Sequence, residues 1–215
     1  IIYRIFSYFN LYSISPPYEY VQNVTMRHLG NYIKKENSQI KNICIVGGYD
    51  GREISTLLSF YPKANINVYE CSNRYKDLLD KKFKTNKRVS VHKKAVSNSI
   101  GQITFYETNL KGAGSLLEVG NLSETSYNAQ NAEKFIVEST TLDIDFPTEN
   151  FDCLWIDVQG AELMVLEGAK ELLNRTDSIF IEVSILPNLY KDAVVMKDLS
   201  NFLSKYSFEL TLLGL

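Results

Sequence analysis

Short apolar runs alternate along most of this chain with segments whose apolar residues recur every three or four positions. The runs are rich in β-branched residues and end at glycine or acidic residues, which is typical of buried strands. The intervening segments have the spacing of amphipathic helices, which predicts an α/β fold with a Rossmann-like, doubly wound, mainly parallel sheet. The predicted strands are 41–46, 66–69, 89–96, 135–139, 151–156, 179–183 and 208–213, and the predicted helices follow residue 51 and span 73–83, 161–173 and 191–205.

The first forty residues lie outside this alternation. Residues 1–11 are apolar and aromatic but fall short of the roughly 20 residues that a membrane-spanning helix needs, so no transmembrane segment is expected. We interpret them as an amphipathic helix packed on the domain, with docking to a membrane surface or a partner as the alternative. A proline pair ends this helix, and a second helix is predicted at 18–35. The chain therefore divides into an N-terminal helical segment, 1–40, and a single domain, 41–215.

A hairpin and a polar segment interrupt the alternation in the middle of the chain. The turn residues at 98–101 predict a hairpin that leads into a strand at 102–107. Residues 108–133 are polar and rich in glycine, serine and asparagine. We interpret them as a mobile loop or short helices within the domain, because strands of the same sheet are predicted on both sides.

Composition narrows the class of protein. The chain has 215 residues, 45% of them hydrophobic, and a formal net charge of −2, which fits one globular domain with a sizeable core and no nucleic-acid partner. The three cysteines lack the spacing of a zinc site, and no metal is expected; buried thiols indicate a reducing, cytoplasmic location. The chain begins with isoleucine instead of methionine, which indicates missing or fused flanking sequence.

A glycine-rich turn at 47–51 follows the first predicted strand of the domain, and Glu70 ends the next strand, nineteen residues after Gly51. Glycines at such a turn let the backbone approach a ligand closely. An acid at the end of the second strand is placed to accept the two hydroxyl groups of a ribose. The pair indicates a nucleoside-containing ligand, with a solvated strand-end acid as the alternative for Glu70.

The order of the glycines bears on which ligand this is. A dinucleotide site prefers the spacing G-x-G-x-x-G, whereas this turn reads G-G-x-x-G with Asp50 before its last glycine. Asp50 would disfavour a pyrophosphate but would tolerate the sulfonium and amino groups of S-adenosylmethionine. The turn therefore favours S-adenosylmethionine, and an NAD-linked oxidoreductase is kept as an alternative.

Another candidate site follows the strand at 151–156, where an apolar run stops at Asp157 and a helical pattern begins after Gly160. A strand-end acid facing the cofactor cleft can act as a general base on a hydroxyl group. It can equally cap the helix that follows, and both interpretations of Asp157 are kept. Glu182 ends the next strand at the same edge of the sheet.

Several motifs resemble one family in the same order along the chain. Residues 155–169, WIDVQGAELMVLEGA, are similar to the "IDVEGAE…VLxGA" motif of the FkbM family of S-adenosylmethionine-dependent methyltransferases. The segments at 68–71 (VYEC), 114–116 (GSL) and 141–143 (TLD) also match. The resemblance implies a class I methyltransferase fold in which an antiparallel last strand lies beside the fifth. No counterpart follows 208–213, so we expect that strand to be missing, disordered or supplied by other sequence.

The resemblance also implies an activity, namely methyl transfer from S-adenosylmethionine to a hydroxyl group of a sugar, a polysaccharide precursor or a related small molecule. The implied catalytic residue is Asp157. Departures from the family pattern at Ile45, Tyr49 and Gln159 keep open a non-catalytic interaction module. The implied cofactor-binding residues are Gly47, Gly48, Tyr49, Asp50, Gly51, Glu70, Cys71, Ala95 and Asp157, and the implied substrate residues are Ser115, Gln159 and Glu182.

Overall fold

A computed structural model of the chain describes residues 3–8, 40–124, 128–184 and 186–214. Its larger sheet has, within these ranges, seven strands in the order β10-β1-β9-β8-β2-β3-β4, and their pairings are all parallel. The strands are β1 (Tyr3–Tyr8), β2 (Asn42–Val46), β3 (Asn65–Tyr69), β4 (Val89–His92), β8 (Cys153–Ile156), β9 (Ser178–Glu182) and β10 (Phe208–Gly214). The predicted doubly wound, parallel sheet is confirmed.

The described helices lie between these strands. They are α1 (Arg52–Phe60), α2 (Lys76–Phe83), α3 (Leu142–Asp145), α4 (Glu162–Glu167), α5 (Lys170–Leu173) and α6 (Met196–Ser204). The predicted helix at 161–173 is divided into α4 and α5 near Gly168, where a Cβ atom would lie 2.1 Å from the carbonyl oxygen of Ser97. The last helix begins at Met196, later than predicted.

The prediction of an N-terminal helix at 1–11 is wrong for the residues of this segment that the structure describes. Residues Tyr3–Tyr8 form β1, which pairs in parallel with both β9 and β10. The apolar, aromatic composition that fits a helix face fits a strand equally well, and backbone pairing on both sides selects the strand. β1 thus lies beside β9, the fifth strand of the larger sheet along the predicted domain. The family resemblance implied an antiparallel strand at this position. The helix predicted at 18–35 lies outside the described residues.

A smaller sheet stands beside the larger one. Within the described chain it has the order β5-β7-β6, formed by β5 (Ala95–Val96), β6 (Gly101–Thr108) and β7 (Asn131–Thr140). The hairpin predicted around 98–101 is not observed, because β5 and β6 both pair with β7 instead of with each other. The sequence shows the turn residues correctly, but the strand that pairs with β6 is β7, which begins thirty residues after β6 begins.

The core lies on both faces of the parallel sheet, as alternation along its strands requires. On β2, Ile43 and Ile45 face the cluster that contains α1 and α2, whereas Cys44 and Val46 face α4, α5 and α6. The cysteines are buried free thiols, as predicted. None of the described helices is long and apolar enough to cross a membrane, and the described part of the chain holds no group of three metal-binding side chains.

Candidate active site

A cleft that is open to solvent lies at the carboxyl ends of β2, β3, β8 and β9. The strand order reverses between β2 and β8, and open α/β sheets bind their ligands at such a reversal. The turn after β2 and the acid after β8 therefore stand on opposite sides of one site. The predicted residues that line the cleft are Gly47, Tyr49, Glu70, Cys71, Ala95, Asp157, Gln159 and Glu182.

Gly47 lies where the backbone after β2 meets the backbone after β8. A Cβ atom on Gly47 would lie 1.8 Å from the carbonyl oxygen of Asp157, and the residue has a positive φ of 93°. The Asp157 N–H in turn donates to the Val46 carbonyl oxygen at 2.9 Å. Glycine is required here because two chain segments touch, and this contact sets the spacing of the two sides of the cleft.

Gly48 and Gly51, two of the predicted cofactor residues, do not line the cleft. A Cβ atom on Gly48 would lie 2.6 Å from Val68 and Leu79, and one on Gly51 would lie 2.7 Å from Leu79 and Phe83. Both glycines therefore allow α2 to pack against the turn. Their place in the structure supports a packing role and does not bring them to a ligand.

Asp50 and Ser115 are also outside the lining of the cleft. The Asp50 carboxylate accepts hydrogen bonds from the Arg52 side chain, with Nη2 at 2.7 Å and Nε at 3.1 Å from Oδ2. Ser115 is buried, and its Oγ accepts a bond from the Leu117 N–H at 3.0 Å. Asp50 is thus held by an ion pair and Ser115 by the loop that it stabilises.

Glu70 is fixed by the turn that it faces. The Tyr49 N–H donates to its Oε2 at 2.7 Å, and the Ser72 N–H donates to its Oε1 at 2.8 Å. Burial raises the pKa of Glu70 to about 7 although these bonds lower it. Since a carboxylate has about four lone-pair positions, this side chain keeps positions for two hydroxyl groups of a ligand.

Two further acids line the cleft, and the sequence patterns did not point to them. Glu53 lies in the first turn of α1, and burial raises its pKa to about 7, with a smaller contribution from the charge of Asp157. An acid just after a glycine turn was the available signal for Glu53. Glu107 comes from β6, and its Oε2 accepts a bond from Ser72 Oγ at 2.6 Å. Its approach to the cleft depends on the smaller sheet, which local sequence patterns do not place.

Asp157, Gln159 and Glu182 form a connected group at the end of β8 and β9. Gln159 Nε2 donates to Asp157 Oδ1 at 2.8 Å and to Glu182 Oε2 at 2.6 Å. Burial first, and then the charge of Asp157 and a hydrogen bond to it, raise the pKa of Glu182 well above its ordinary value. Glu182 is thus harder to ionise than an ordinary carboxyl group.

The turn between β8 and α4 is stabilised by Glu162, which bears on the capping interpretation of Asp157. Glu162 is buried, and its Oε1 accepts bonds from the N–H groups of Gly160 at 3.0 Å and Val158 at 3.3 Å. No side chain caps the N-terminus of α4, whose N-cap residue is Ala161. The capping alternative for Asp157 is therefore not supported, and its carboxylate faces the cleft.

A wall beside the cleft is formed by residues 109–124, which line it through Lys111, Gly112, Gly114 and Leu116, and by residues 188–191, which pack against them. The Gly120 N–H donates to the Leu189 carbonyl oxygen at 2.9 Å, and the Tyr190 hydroxyl donates to that of Ala113 at 2.9 Å. The same hydroxyl lies 3.3 Å from Gln159 Oε1. The polar segment predicted as a mobile loop or short helices contains a 3-10 helix at Asn121–Glu124 and packs through these contacts.

The parallel sheet and the acid-lined cleft at its point of reversal define an α/β protein that binds a ligand at the carboxyl edge of its strands. A family model described as "Methyltransferase FkbM domain" matches residues 46–210. The chain belongs to the FkbM methyltransferase family. The resemblance found in its motifs is confirmed, and membership argues against an NAD-linked oxidoreductase.

One relative and two solved structures were compared with the chain. The 2-O-methyltransferase NoeI of Sinorhizobium fredii (strain NBRC 101917 / NGR234) is 30% identical over 176 residues, which cover 77% of this chain and 71% of NoeI. The plantazolicin methyltransferase BpumL, in complex with a triazolic desmethylPZN analog and SAH, has a TM-score of 0.44 at 14% identity, over 91% of this chain and 60% of its own. A SAM-dependent methyltransferase from Agrobacterium tumefaciens has a TM-score of 0.47 at 8% identity, over 87% of this chain and 50% of its own.

Proposed function

We propose that this protein is an S-adenosylmethionine-dependent O-methyltransferase that acts on a hydroxyl group of a sugar, a polysaccharide precursor or a related small molecule. The observation that carries the proposal is the meeting of Glu70 and Asp157 in one cleft of an FkbM-family chain. The 2-O-methyltransferase activity in the name of NoeI supports a hydroxyl acceptor. Three buried thiols support a reducing, cytoplasmic location.

The charges of the cleft support a cationic cofactor. Glu53, Glu70, Asp157 and Glu182 line the same space, and burial raises the pKa of Glu53 and Glu70 to about 7. The ammonium and sulfonium groups of S-adenosylmethionine would stabilise the ionised forms of these acids, whereas the pyrophosphate of NAD would oppose their ionisation. In this proposal Glu70 binds the ribose hydroxyl groups, and Glu53, which lines the cleft, binds the amino group of the cofactor.

Methyl transfer to an alcohol requires that the acceptor be oriented and deprotonated. When bound, S-adenosylmethionine supplies an electrophilic methyl group on its sulfonium. The acceptor oxygen would take this methyl group while the C–S bonding pair stays on sulfur, so the residues of this chain must orient the hydroxyl and remove its proton. In this proposal Asp157 accepts the hydroxyl proton, and Gln159, which is bonded to both Asp157 and Glu182, holds the Asp157 carboxylate in position.

Calorimetric titration and a methyl-transfer assay test the proposal. S-adenosylhomocysteine is expected to bind the full chain, and NAD is expected to give no heat under the same conditions. Methyl-labelled S-adenosylmethionine should then transfer label to members of a panel of sugars and polysaccharide precursors. Binding of NAD alone would favour the oxidoreductase. A folded chain that binds neither ligand would favour the non-catalytic module.

A further inference from the structure

Two neighbouring strands end in carboxyl groups on the side of the cleft that is away from Glu70. β8 and β9 pair in parallel with Ile156 opposite Ile181, so Asp157 and Glu182 are the next two residues in the register. The two isoleucines are buried, whereas Asp157 and Glu182 are partly exposed and line the cleft. Because neighbouring strands lie about 4.8 Å apart, the two carboxyl groups stand side by side at the open edge of the sheet.

The strand order separates Glu182 from the proposed ribose site. β2 and β8 lie between β3, which Glu70 follows, and β9, which Glu182 ends, so the two acids are three strand spacings apart, roughly 14 Å. Asp157 follows β8 and therefore lies between them. If Glu70 binds the ribose and Asp157 receives the acceptor proton, Glu182 lies beyond the point of transfer, on the side of the acceptor.

Gln159 fixes the spacing of Asp157 and Glu182. Its amide nitrogen donates to Asp157 Oδ1 at 2.8 Å and to Glu182 Oε2 at 2.6 Å, and the two carboxyl groups also hydrogen-bond to each other. Gln159 has a positive φ of 55°, a conformation that residues other than glycine rarely adopt. Strained residues of this kind cluster at functional sites, and this one links two acids in a cleft.

Two linked acids match two neighbouring hydroxyl groups. The oxygens of hydroxyl groups on adjacent sugar carbons are about one hydrogen-bond length apart, and each hydroxyl has one hydrogen to donate. When one hydroxyl gives its proton to Asp157, its neighbour needs a second acceptor, and Glu182 is placed to provide it. Contact at two points also fixes the orientation of the sugar, which a single hydrogen bond does not.

We propose that the acceptor is a vicinal diol. Asp157 takes the proton of the hydroxyl that becomes methylated, and Glu182 accepts a hydrogen bond from the hydroxyl on the next carbon. Glu182 is then the residue that selects the position of methylation within a sugar. This inference rests on the proposed function, because the hydroxyl acceptor and the role of Asp157 come from it.

Methyl-transfer kinetics of the full chain test this assignment. The probe is the sugar that takes the most label in the panel of sugars and polysaccharide precursors, compared with analogues that each lack one hydroxyl group. Loss of a hydroxyl on one carbon next to the methylated position should lower kcat/KM by about 5- to 100-fold, because a largely buried acceptor then lacks its donor. Loss of a hydroxyl further away should lower it by about threefold or less.

Glu182→Leu removes the acceptor and keeps a similar volume. The penalty for the neighbouring deoxy analogue should then fall to about threefold or less, while the affinity for S-adenosylhomocysteine, measured by calorimetry, stays the same. The penalty is a ratio of two acceptors within one variant, so a general loss of turnover does not affect it. If Glu182→Leu does not fold, Glu182→Ala replaces it with the same expectation. Asp50→Asn is the control and should keep the wild-type penalty, because Asp50 pairs with Arg52 outside the lining of the cleft.

The outcomes separate this inference from the proposed function. Equal kcat/KM for all the deoxy analogues, or a preferred sugar without a neighbouring hydroxyl, would overturn the diol while the proposed function stands. A wild-type penalty that the Glu182 variant keeps would remove Glu182 from acceptor recognition. A folded chain that binds S-adenosylhomocysteine but labels no member of the panel would overturn both.

Discussion

At the scale of single residues, the cleft gathers acids in a chain whose overall formal charge is only −2. The acids differ in what holds them. Glu70 accepts hydrogen bonds from backbone N–H groups, Asp157 accepts one from the Gln159 amide, and burial together with the charge of Asp157 raises the pKa of Glu182. Two carboxyl groups with different surroundings thus lie side by side where the proposed function needs a base.

Asp157→Asn tests the role of this base. The amide keeps the size of the side chain but cannot accept a proton, so turnover should fall by about 100-fold or more while the affinity for S-adenosylhomocysteine changes little. Single-turnover methyl transfer and calorimetry measure the two quantities. Asp50→Asn is the control, because Asp50 pairs with Arg52 outside the cleft and should leave turnover nearly unchanged. Full activity of Asp157→Asn would remove the base from the mechanism.

The raised pKa of Glu70 predicts how stability depends on pH. The folded protein holds the Glu70 proton up to about pH 7, whereas the unfolded chain loses it near the ordinary pKa of about 4.3. Its stabilising contribution is therefore present below pH 4 and is lost as the pH rises towards 7. Without ligand, the free energy of unfolding of Glu70→Gln should improve relative to wild type between pH 5 and pH 8.

Urea unfolding at the two pH values measures this difference. The exposed Glu171→Gln is the control and should show no such change relative to wild type. A Glu70→Gln difference that is constant with pH would mean that Glu70 is ionised throughout this range in the folded protein.

The residues that sequence predicts and those that it misses differ in what brings them to the cleft. Glu70, Asp157 and Glu182 each follow a parallel strand, and the carboxyl ends of parallel strands share one edge of the sheet. Their convergence could therefore be predicted from strand positions alone. Glu107 reaches the cleft through the pairing of β6 with β7, which is set by distant residues. Asp50 was expected at the cofactor but pairs with Arg52 outside the lining of the cleft, and the sequence does not show which way its side chain turns.

At the scale of elements, boundaries that depend on local patterns were predicted correctly, and those that depend on distant contacts were not. Strands buried on both faces were predicted within one or two residues, because their apolar runs are continuous. The strand β1 was predicted as a helix because a short aromatic run fits both periodicities. The helix is divided between α4 and α5 beside Gly168, whose backbone lies against Ser97, and local propensity carries no information about that contact.

The contact between the ends of β2 and β8 predicts a large effect of Gly47→Ala. The new Cβ atom would lie 1.8 Å from the Asp157 carbonyl oxygen at a residue with positive φ, so the two strand ends must separate. We expect a loss of about 2–4 kcal/mol in the free energy of unfolding and weaker binding of S-adenosylhomocysteine. Urea unfolding and calorimetry measure these changes.

Gly101→Ala is the control that separates the effect of a steric clash from the effect of backbone strain. Gly101 also has a positive φ, but a Cβ atom there would meet nothing within 4 Å. This variant should lower the free energy of unfolding by only about 1–2 kcal/mol and should leave the affinity for S-adenosylhomocysteine unchanged. Equal losses in the two variants would show that the contact between β2 and β8 does not contribute to the stability of the site.

At the scale of the whole molecule, the site joins segments that are distant in the sequence. Glu70 and Asp157 follow strands of the parallel sheet, whereas the wall at 109–124 and 188–191 contacts Gln159. Tyr190 connects the two, because its ring packs on Gly160 and its hydroxyl reaches both Ala113 and Gln159. From this arrangement we expect the sheet to bind the cofactor and the wall to contact the acceptor.

Tyr190→Phe tests that division. Removal of the hydroxyl keeps the packing of the ring but releases the wall from Gln159, so the acceptor should be held less closely against Asp157. We expect the acceptor KM to rise by about three- to tenfold, consistent with the loss of one or two neutral hydrogen bonds, while the affinity for S-adenosylhomocysteine stays the same. Tyr206→Phe, which alters a tyrosine packed against the core near α6, is the control and should change neither quantity. If Tyr190→Phe weakened the cofactor and left the acceptor KM unchanged, the wall would belong to the cofactor site, and acceptor selection would have to be sought elsewhere in the chain.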